Sequence, residues 1–380
     1  MNPAARWSGA LRRRWWDQAP GAGERLLLAP LAVPEAVFRA GAAARSALYD
    51  AGLLRSARAT VPVISVGNLA VGGAGKTPVV LSLAERLSRA GRRPAVLSRG
   101  YGASIKAPTV VSDGRALLAG SEAGGDEPVL LARRLPTLRV VCGPDRAGLV
   151  HLAVELGADV ILLDDGFQHR RLSRDLDVVV LDGSNPFGNG HCLPRGPNRE
   201  PRRALGRAGV VWLTHADRAR GEVLERLRAA ARRYTGRDPV ESRHAPSEVL
   251  DAGLNRGFGL ASLAGARVGL LTGVARPESV AATVESLGAS VVSRSDHPDH
   301  HRFSPEDVDA AIGAAFRAGA TWLLTTEKDA VRLPTDRASD DRLRVLRIDI
   351  ELLRGADVVE SALSEALAQG GKQRSPRGGI

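Results

Sequence analysis

Cysteine, aromatic residues and lysine are all scarce in this chain of 380 residues, and each shortage excludes something. Two cysteines, Cys142 and Cys192, make no disulfide framework and match no metal-ligand spacing, which points to a reducing compartment. Aromatic residues are only 4% of the chain and are not interleaved with basic ones as in RNA- or DNA-binding modules, so nucleic acid is the least favoured partner. Long apolar runs are missing near the N-terminus. The stretch Leu26 to Val33 is much shorter than the roughly 20 residues a spanning helix needs, and Pro30 and Pro34 interrupt it. No small-residue cleavage site directly follows it, which argues against a signal peptide. Of 53 Lys+Arg, only Lys76, Lys106, Lys328 and Lys372 are lysine.

What remains is the composition of a soluble globular protein, 44% hydrophobic and 25% charged, long enough for two domains. The net charge of +11 calls for a polyanionic neighbour, an anionic membrane face or a phosphorylated substrate. Three of the five tryptophans, Trp7, Trp15 and Trp16, lie beside Arg6, Arg12, Arg13 and Arg14. Amphipathic rings with basic side chains suit a segment lying in a membrane interface; an ordinary helix packed on the domain is the plainer alternative.

One stretch carries most of the chemistry: Val66-Gly-Asn-Leu-Ala-Val-Gly-Gly-Ala-Gly-Lys-Thr-Pro78. It follows the apolar run Val61 to Val66 and precedes the amphipathic run Val79 to Leu87, so it sits where a strand turns into a helix. Glycines let backbone wrap closely around an anion, and the free N–H groups of the next helix favour negative charge there. Ala70, Val71, Gly72, Gly73, Ala74, Gly75, Lys76 and Thr77 therefore form a candidate ATP-binding phosphate loop. Lys76 would reach the β- and γ-phosphates and the Thr77 hydroxyl would hold Mg²⁺. Ala70 stands where the consensus G-x-x-x-x-G-K-[ST] has its first glycine. A lysine retained inside this loop, in a chain so biased to arginine, suits the role of a compact point charge.

Downstream, short apolar runs read as strands: Ala95 to Arg99, Arg139 to Cys142, Val160 to Leu163 and Val178 to Leu181. Helical patterns such as Ala147 to Leu156 lie between them. This alternation predicts a parallel, helix-covered sheet. Gly183 to Arg203 has no period and is too long for a simple connection, so it reads as a functional loop. The pattern then restarts at Val210 to Leu213, with a helix at Val223 to Tyr234 and strands at Val268 to Leu271, Trp322 to Leu324 and Leu343 to Ile348. The expected organisation is an interfacial segment over 1–50, a phosphate-loop kinase domain over 51–205, a hinge region over 206–240, a smaller α/β domain over 241–369, and a disordered tail over 370–380.

The run Val160 to Leu163 ends in Asp164-Asp-Gly-Phe-Gln-His169. Carboxylates at the C-terminal end of a buried strand lie where such sheets bind ligands, so Asp164 and Asp165 are candidate Mg²⁺ ligands. Asp182, ending the next strand, competes for that role. In the long loop, Arg199 and Glu200 are candidate substrate contacts, with Gln168 and Tyr101. The histidines His297, His300 and His301 cluster without cysteine or helical ligand spacing, so no zinc site is read there.

These motifs occur in an order that closely resembles the tetraacyldisaccharide 4′-kinases of lipid A biosynthesis. The resemblance rests on the loop, Asp164–His169, Asp182-Gly-Ser-Asn-Pro-Phe-Gly-Asn-Gly190, Leu193-Pro-Arg-Gly-Pro197 and Arg199-Glu-Pro201. Ser98-Arg-Gly-Tyr-Gly102, Gly125-Asp-Glu-Pro128, Asp299-His300 and Thr326-Glu-Lys-Asp-Ala330 add to it. It covers about residues 15 to 350. It implies two α/β domains with mostly parallel sheets, the first of the P-loop NTPase kind. They are joined by a hinge, with a nucleotide cleft between them and an N-terminal interfacial helix. It also implies transfer of the ATP γ-phosphate to the 4′-hydroxyl of an acylated glucosamine disaccharide 1-phosphate at the cytoplasmic face of the inner membrane. Asp126 resembles the family's general base, assisted by His300. Taken without the family, Asp126 also fits a helix N-cap before Pro128, and Thr326–Asp329 fits adenine contact, a hinge pin or a Lys328 salt bridge. The rival from another class is a switch-type P-loop ATPase of the partitioning or carrier kind, against which Val71 counts because those loops carry lysine there. Oligomeric state is left open.

Overall fold

The computed structural model describes residues 14–17, 21–100, 105, 107–337 and 339–372. Tyr101, the segment with Arg6, Trp7, Arg12 and Arg13, and the tail beyond 372 lie outside the described residues. The chain divides into two compact units. The first is 1–98, 145–243 and 351–380; the second is 99–144 and 244–350. Both are α/β, and most of their strand pairs are parallel.

The first unit is built on β1 (Val63–Gly67), β2 (Pro94–Ser98), β5 (Val160–Asp164), β6 (Leu176–Asp182), β7 (Val210–Thr214) and the start of β8 (Val240–Asp251). Their order is β8-β7-β6-β1-β5-β2, all parallel. Every residue of β1, β2, β5 and β7 is buried, which is why these runs are apolar throughout rather than alternating. Helix α1 (Ala22–Leu28) and, after a single 3-10 turn, α2 (Ala32–Asp50) precede β1. Helix α3 (Lys76–Arg89) follows it and buries Val79, Val80, Leu83, Ala84 and Leu87. That i, i+3, i+4 stripe packs on β1, β2 and β5.

The second unit holds β3 (Thr109–Asp113) and β4 (Arg139–Cys142) as an antiparallel pair. It also holds a set in the order β10-β9-β11-β12-β8. Here β9 is Arg267–Thr272, β10 Ser290–Asp296, β11 Trp322–Thr326 and β12 Leu343–Arg354. Its helices include α4 (Asp126–Arg134), α7 (Pro277–Ser286), α8 (Pro305–Arg317) and α9 (Glu327–Ala330). In the first unit α5 is Leu149–Glu155, α6 Gly221–Thr235 and α10 Ala356–Lys372. Strands β8 and β12 each begin in one unit and end in the other. Residues 206–240, read as a hinge region, supply β7 and α6 of the first unit, while 99–144, from within the expected kinase domain, belong to the second. Helix α10 continues past Gly370, where the composition predicts a disordered tail to begin.

The N-terminal helix corrects another expectation. Pro30 and Pro34 do not end it: each stands in the first turn of a helical segment, where its missing N–H is not needed. Ala22–Asp50 is consequently one 29-residue helical stretch, long and apolar enough by composition to cross a membrane. Only Leu28 and Glu35 on it are buried. Leu26, Leu27, Val33 and Val37 are exposed.

Candidate active site

The central strand β1 delivers its C-terminus directly beside the carboxylates of β5, with Val66 paired to Asp164. The approach is tight. A Cβ at Gly67 would lie 2.6 Å from Cβ of Phe167 and 2.7 Å from its backbone nitrogen, so only glycine lets the two turns close. The loop then runs from Asn68 to Gly75, whose φ of 79° sets up the N-terminus of α3 at Lys76. Lys76 Nζ lies 3.3 Å from Asn68 Oδ1, 3.5 Å from the Gly72 carbonyl and 3.4 Å from Asp165 Oδ1. The Val71 N–H donates to the Pro197 carbonyl (2.8 Å) and Ala70 bridges to Asn198, tying the loop's first half to the long segment 183–203. The N–H groups of the loop's second half begin α3 and carry its positive dipole end.

The two carboxylates differ in their surroundings. Asp164 is buried and its Oδ2 accepts from the Ser98 hydroxyl (3.1 Å). Asp165 has a positive φ of 50° and faces two cations. Both its oxygens accept from Arg199 Nη1, at 3.0 and 2.8 Å, with Lys76 alongside. Burial alone would raise the Asp165 carboxyl, but the Lys76 and Arg199 charges outweigh it and hold it below the ordinary value. Arg146, buried, donates to the backbone carbonyls of both aspartates.

The candidate substrate contacts of this unit interlock. Gln168 Nε2 donates to the Asn68 carbonyl (3.0 Å) and to Glu200 Oε1 (3.1 Å), and Arg199 Nη1 donates to Gln168 Oε1 (3.3 Å). Glu200 takes two bonds from Arg207, whose guanidinium covers the Phe167 ring at 4.4 Å. Gln168, Arg199 and Glu200 thus brace the turn after β5 against the loop. Asp182, by contrast, turns to its own neighbours: its Oδ1 accepts from the Ser184 N–H and hydroxyl and lies 3.5 Å from His215 Nδ1. The sequence gives no role to Asn68, Arg146, Arg207 and Thr214, whose hydroxyl donates to the Ala74 carbonyl (2.9 Å). Two of them carry a legible signal: Asn68 by its place in the loop, and Thr214 as a polar residue ending the apolar run Val210 to Leu213.

The second unit gathers the remaining candidates. Asp126 opens α4, but Gly125 is the N-cap and no side chain caps the helix. Asp126 is therefore not a cap. Its carboxylate meets His300 Nδ1 at 3.1 Å and Arg332 Nε at 3.7 Å, and its burial is nearly complete. His300 has a left-handed backbone, φ 64°, uncommon for a non-glycine residue. Its two neighbours point elsewhere. His301 Nε2 lies 2.9 Å from Asp307 Oδ2, and the His297 ring stacks on His301 with centroids 4.4 Å apart. Ligand atoms of His297, His301 and Asp307 fall within 4.8 Å of one another. Asp307 also closes the capping box of α8 with Ser304.

A glycine loop ending in Lys-Thr at a helix N-terminus, beside carboxylates that end the neighbouring parallel strand, defines the class: an α/β nucleotide-binding protein of the P-loop kind. The comparisons make it particular. The family model for LpxK, tetraacyldisaccharide-1-P 4′-kinase, matches residues 25–368, and the chain belongs to this family. A protein named tetraacyldisaccharide 4′-kinase from Anaeromyxobacter sp. (strain Fw109-5) is 59% identical over 361 residues, 95% of this chain and 97% of its own length. One of the same name from Syntrophus aciditrophicus is 43% identical, covering 85% of this chain and 88% of that protein. The crystal structure of LpxK from Aquifex aeolicus in complex with ATP superposes with a TM-score of 0.73 at 29% identity, covering 90% of this chain and 99% of that one. The chain is a kinase of lipid A biosynthesis, and the switch-ATPase reading falls.

Proposed function

We propose that this kinase moves the γ-phosphate of ATP to the 4′-hydroxyl of a tetraacyldisaccharide 1-phosphate with its labour divided between two residue groups. In the first, the backbone of residues 70–77 cradles the triphosphate and Lys76 neutralises its β- and γ-oxygens. In the second, Asp126 takes the proton of the 4′-hydroxyl as that oxygen bonds to the γ-phosphorus and the bond to the β-phosphate oxygen breaks, releasing ADP. His300 holds the Asp126 carboxylate in place. What supports this assignment is the 3.1 Å contact between His300 Nδ1 and a nearly buried Asp126 Oδ2, with His297 and His301 engaged elsewhere.

Thr77, Asp164 and Asp165 offer one hydroxyl and two carboxylates, the hard oxygen donors that Mg²⁺ takes. Asp165 is already matched by Lys76 and Arg199, so Asp164 is assigned the direct contact. When bound, the ion neutralises charge on the β- and γ-phosphate oxygens. Tyr101, Gln168, Arg199 and Glu200 are assigned to the disaccharide side, the last three by shaping the loop rather than through free side chains.

The protein works at the cytoplasmic face of the inner membrane, with α1 and α2 lying along the surface. Polar contacts run the length of α2. Glu35 accepts from the Cys192 N–H (2.9 Å), Arg45 donates to the Gln168 carbonyl, and Arg170 reaches Ser46 and Asp50. A spanning helix would carry these groups into hydrocarbon, where each is costly. The opposite side presents Leu26, Leu27, Val33 and Val37. The experiment that tests the loop assignment is transfer by Lys76→Ala. Turnover should fall at least about a hundredfold with unchanged far-UV circular dichroism; turnover within twofold of the parent overturns it.

A further inference from the structure

The motif Thr326–Ala330 lies on α9, far along the chain from Asp126, yet the two are tied together. Glu327, buried, accepts from Arg134 Nη1 at 2.5 Å. Arg134 closes the helix that Asp126 opens. Glu327 also accepts from Arg347 Nε at 2.8 Å. One turn further, the Arg332 Nε donates to the Lys328 carbonyl (3.2 Å) and lies 3.7 Å from Asp126 Oδ2. Arg332 is itself fixed from behind. Its Nη2 donates to Asp329 Oδ1 (2.5 Å) and to the Gly273 carbonyl (3.1 Å), the same carbonyl that accepts the His300 N–H. Asp329, fully buried, is held by the Gly273 N–H (3.1 Å) and the Thr326 hydroxyl (2.7 Å).

On the other side, Lys328 Nζ lies 3.5 Å from His300 Nε2 and 3.3 Å from Asp299 Oδ1. An ionised carboxylate only accepts hydrogen bonds, so His300 Nδ1 must carry the proton that it gives to Asp126. In neutral imidazole Nε2 is then the acceptor, and an ammonium, which only donates, is its fitting partner. Asp299 Oδ2 stands 3.9 Å from the same nitrogen and matches the lysine's charge. The order along the chain of contacts is ammonium, imidazole, carboxylate, guanidinium.

We propose that Lys328 and Arg332 are positioning residues for the Asp126–His300 pair: Lys328 selects the His300 tautomer that donates to Asp126, and Arg332 aims the carboxylate. This rests on the reading of Asp126 as the base. Neither residue touches ATP or lipid in this role, so each acts on turnover and only through Asp126.

The test is a double-mutant cycle on the full-length enzyme. Lys328→Met should lower kcat about tenfold or more with both KM values within about twofold, and Lys328→Arg should restore part of the loss. Arg332→Lys should act likewise. In the Asp126→Asn background each substitution should cost less than about twofold, because the group it positions is gone. Equal losses in both backgrounds, or a raised KM with kcat intact, overturn the inference. Lys328 is half-buried, so Lys328→Met keeps the test decisive even where a variant of the buried Arg332 fails to fold. If Asp126→Asn alone leaves kcat unchanged, the base assignment fails first and separately.

Discussion

Asp182 shows how a single carboxylate can be spoken for by its neighbours. Burial would raise it, but the His215 contact and the Ser184 hydroxyl and N–H bring it from 3.8 down to about 2. A carboxyl depressed in the folded chain contributes stability above its unfolded value, and that contribution is lost as pH falls through the folded one. The window is therefore pH 4 to 2, and a shift of this size is worth about 2 kcal/mol. Urea unfolding at pH 4 and at pH 2 should show the parent losing about that much more than Asp182→Asn; identical losses would remove the account of Asp182 as a structural group. The contrast with Asp165 is instructive. Both follow buried strands and both read as metal ligands from sequence, because spacing reveals where a carboxylate stands and not which cation or hydroxyl already faces it.

Whole strands and helices were legible in proportion to how completely they are buried. The strands β1, β5, β6 and β7 are apolar because both faces are covered, and each is visible as a run. β8 and β10 were not seen: Val240–Asp251 and Ser290–Asp296 carry charged residues at exposed positions. β3 is short and half-buried, and it supplies an antiparallel pair that an alternating βα pattern does not announce. In the N-terminal helix, Pro30 and Pro34 interrupt the apolar stretch in sequence but not the helix, because both fall in first turns. Its exposed apolar face leads to a prediction. Val33→Asp with Val37→Asp should weaken sedimentation with anionic phospholipid vesicles by roughly tenfold or more, since each valine buries about 1.5–3 kcal/mol of apolar surface. Undiminished binding would contradict a surface role for α2.

At the scale of the molecule, the loop was readable because its parts are contiguous, whereas Asp126 and His300 stand 174 residues apart and only a family resemblance joined them beforehand. Arg332 and Arg146 had no signal at all, being two arginines among many in an arginine-rich chain. In the proposed division of labour, nucleotide holding falls to residues of the first unit and proton transfer to residues of the second. The most direct test compares Asp126→Asn with the parent in two assays, ATP affinity by calorimetry and kcat for phosphate transfer to tetraacyldisaccharide 1-phosphate. The account predicts a fall in kcat of at least about a hundredfold at unchanged ATP affinity. Weakened ATP binding with kcat preserved would contradict it and make Asp126 a nucleotide contact.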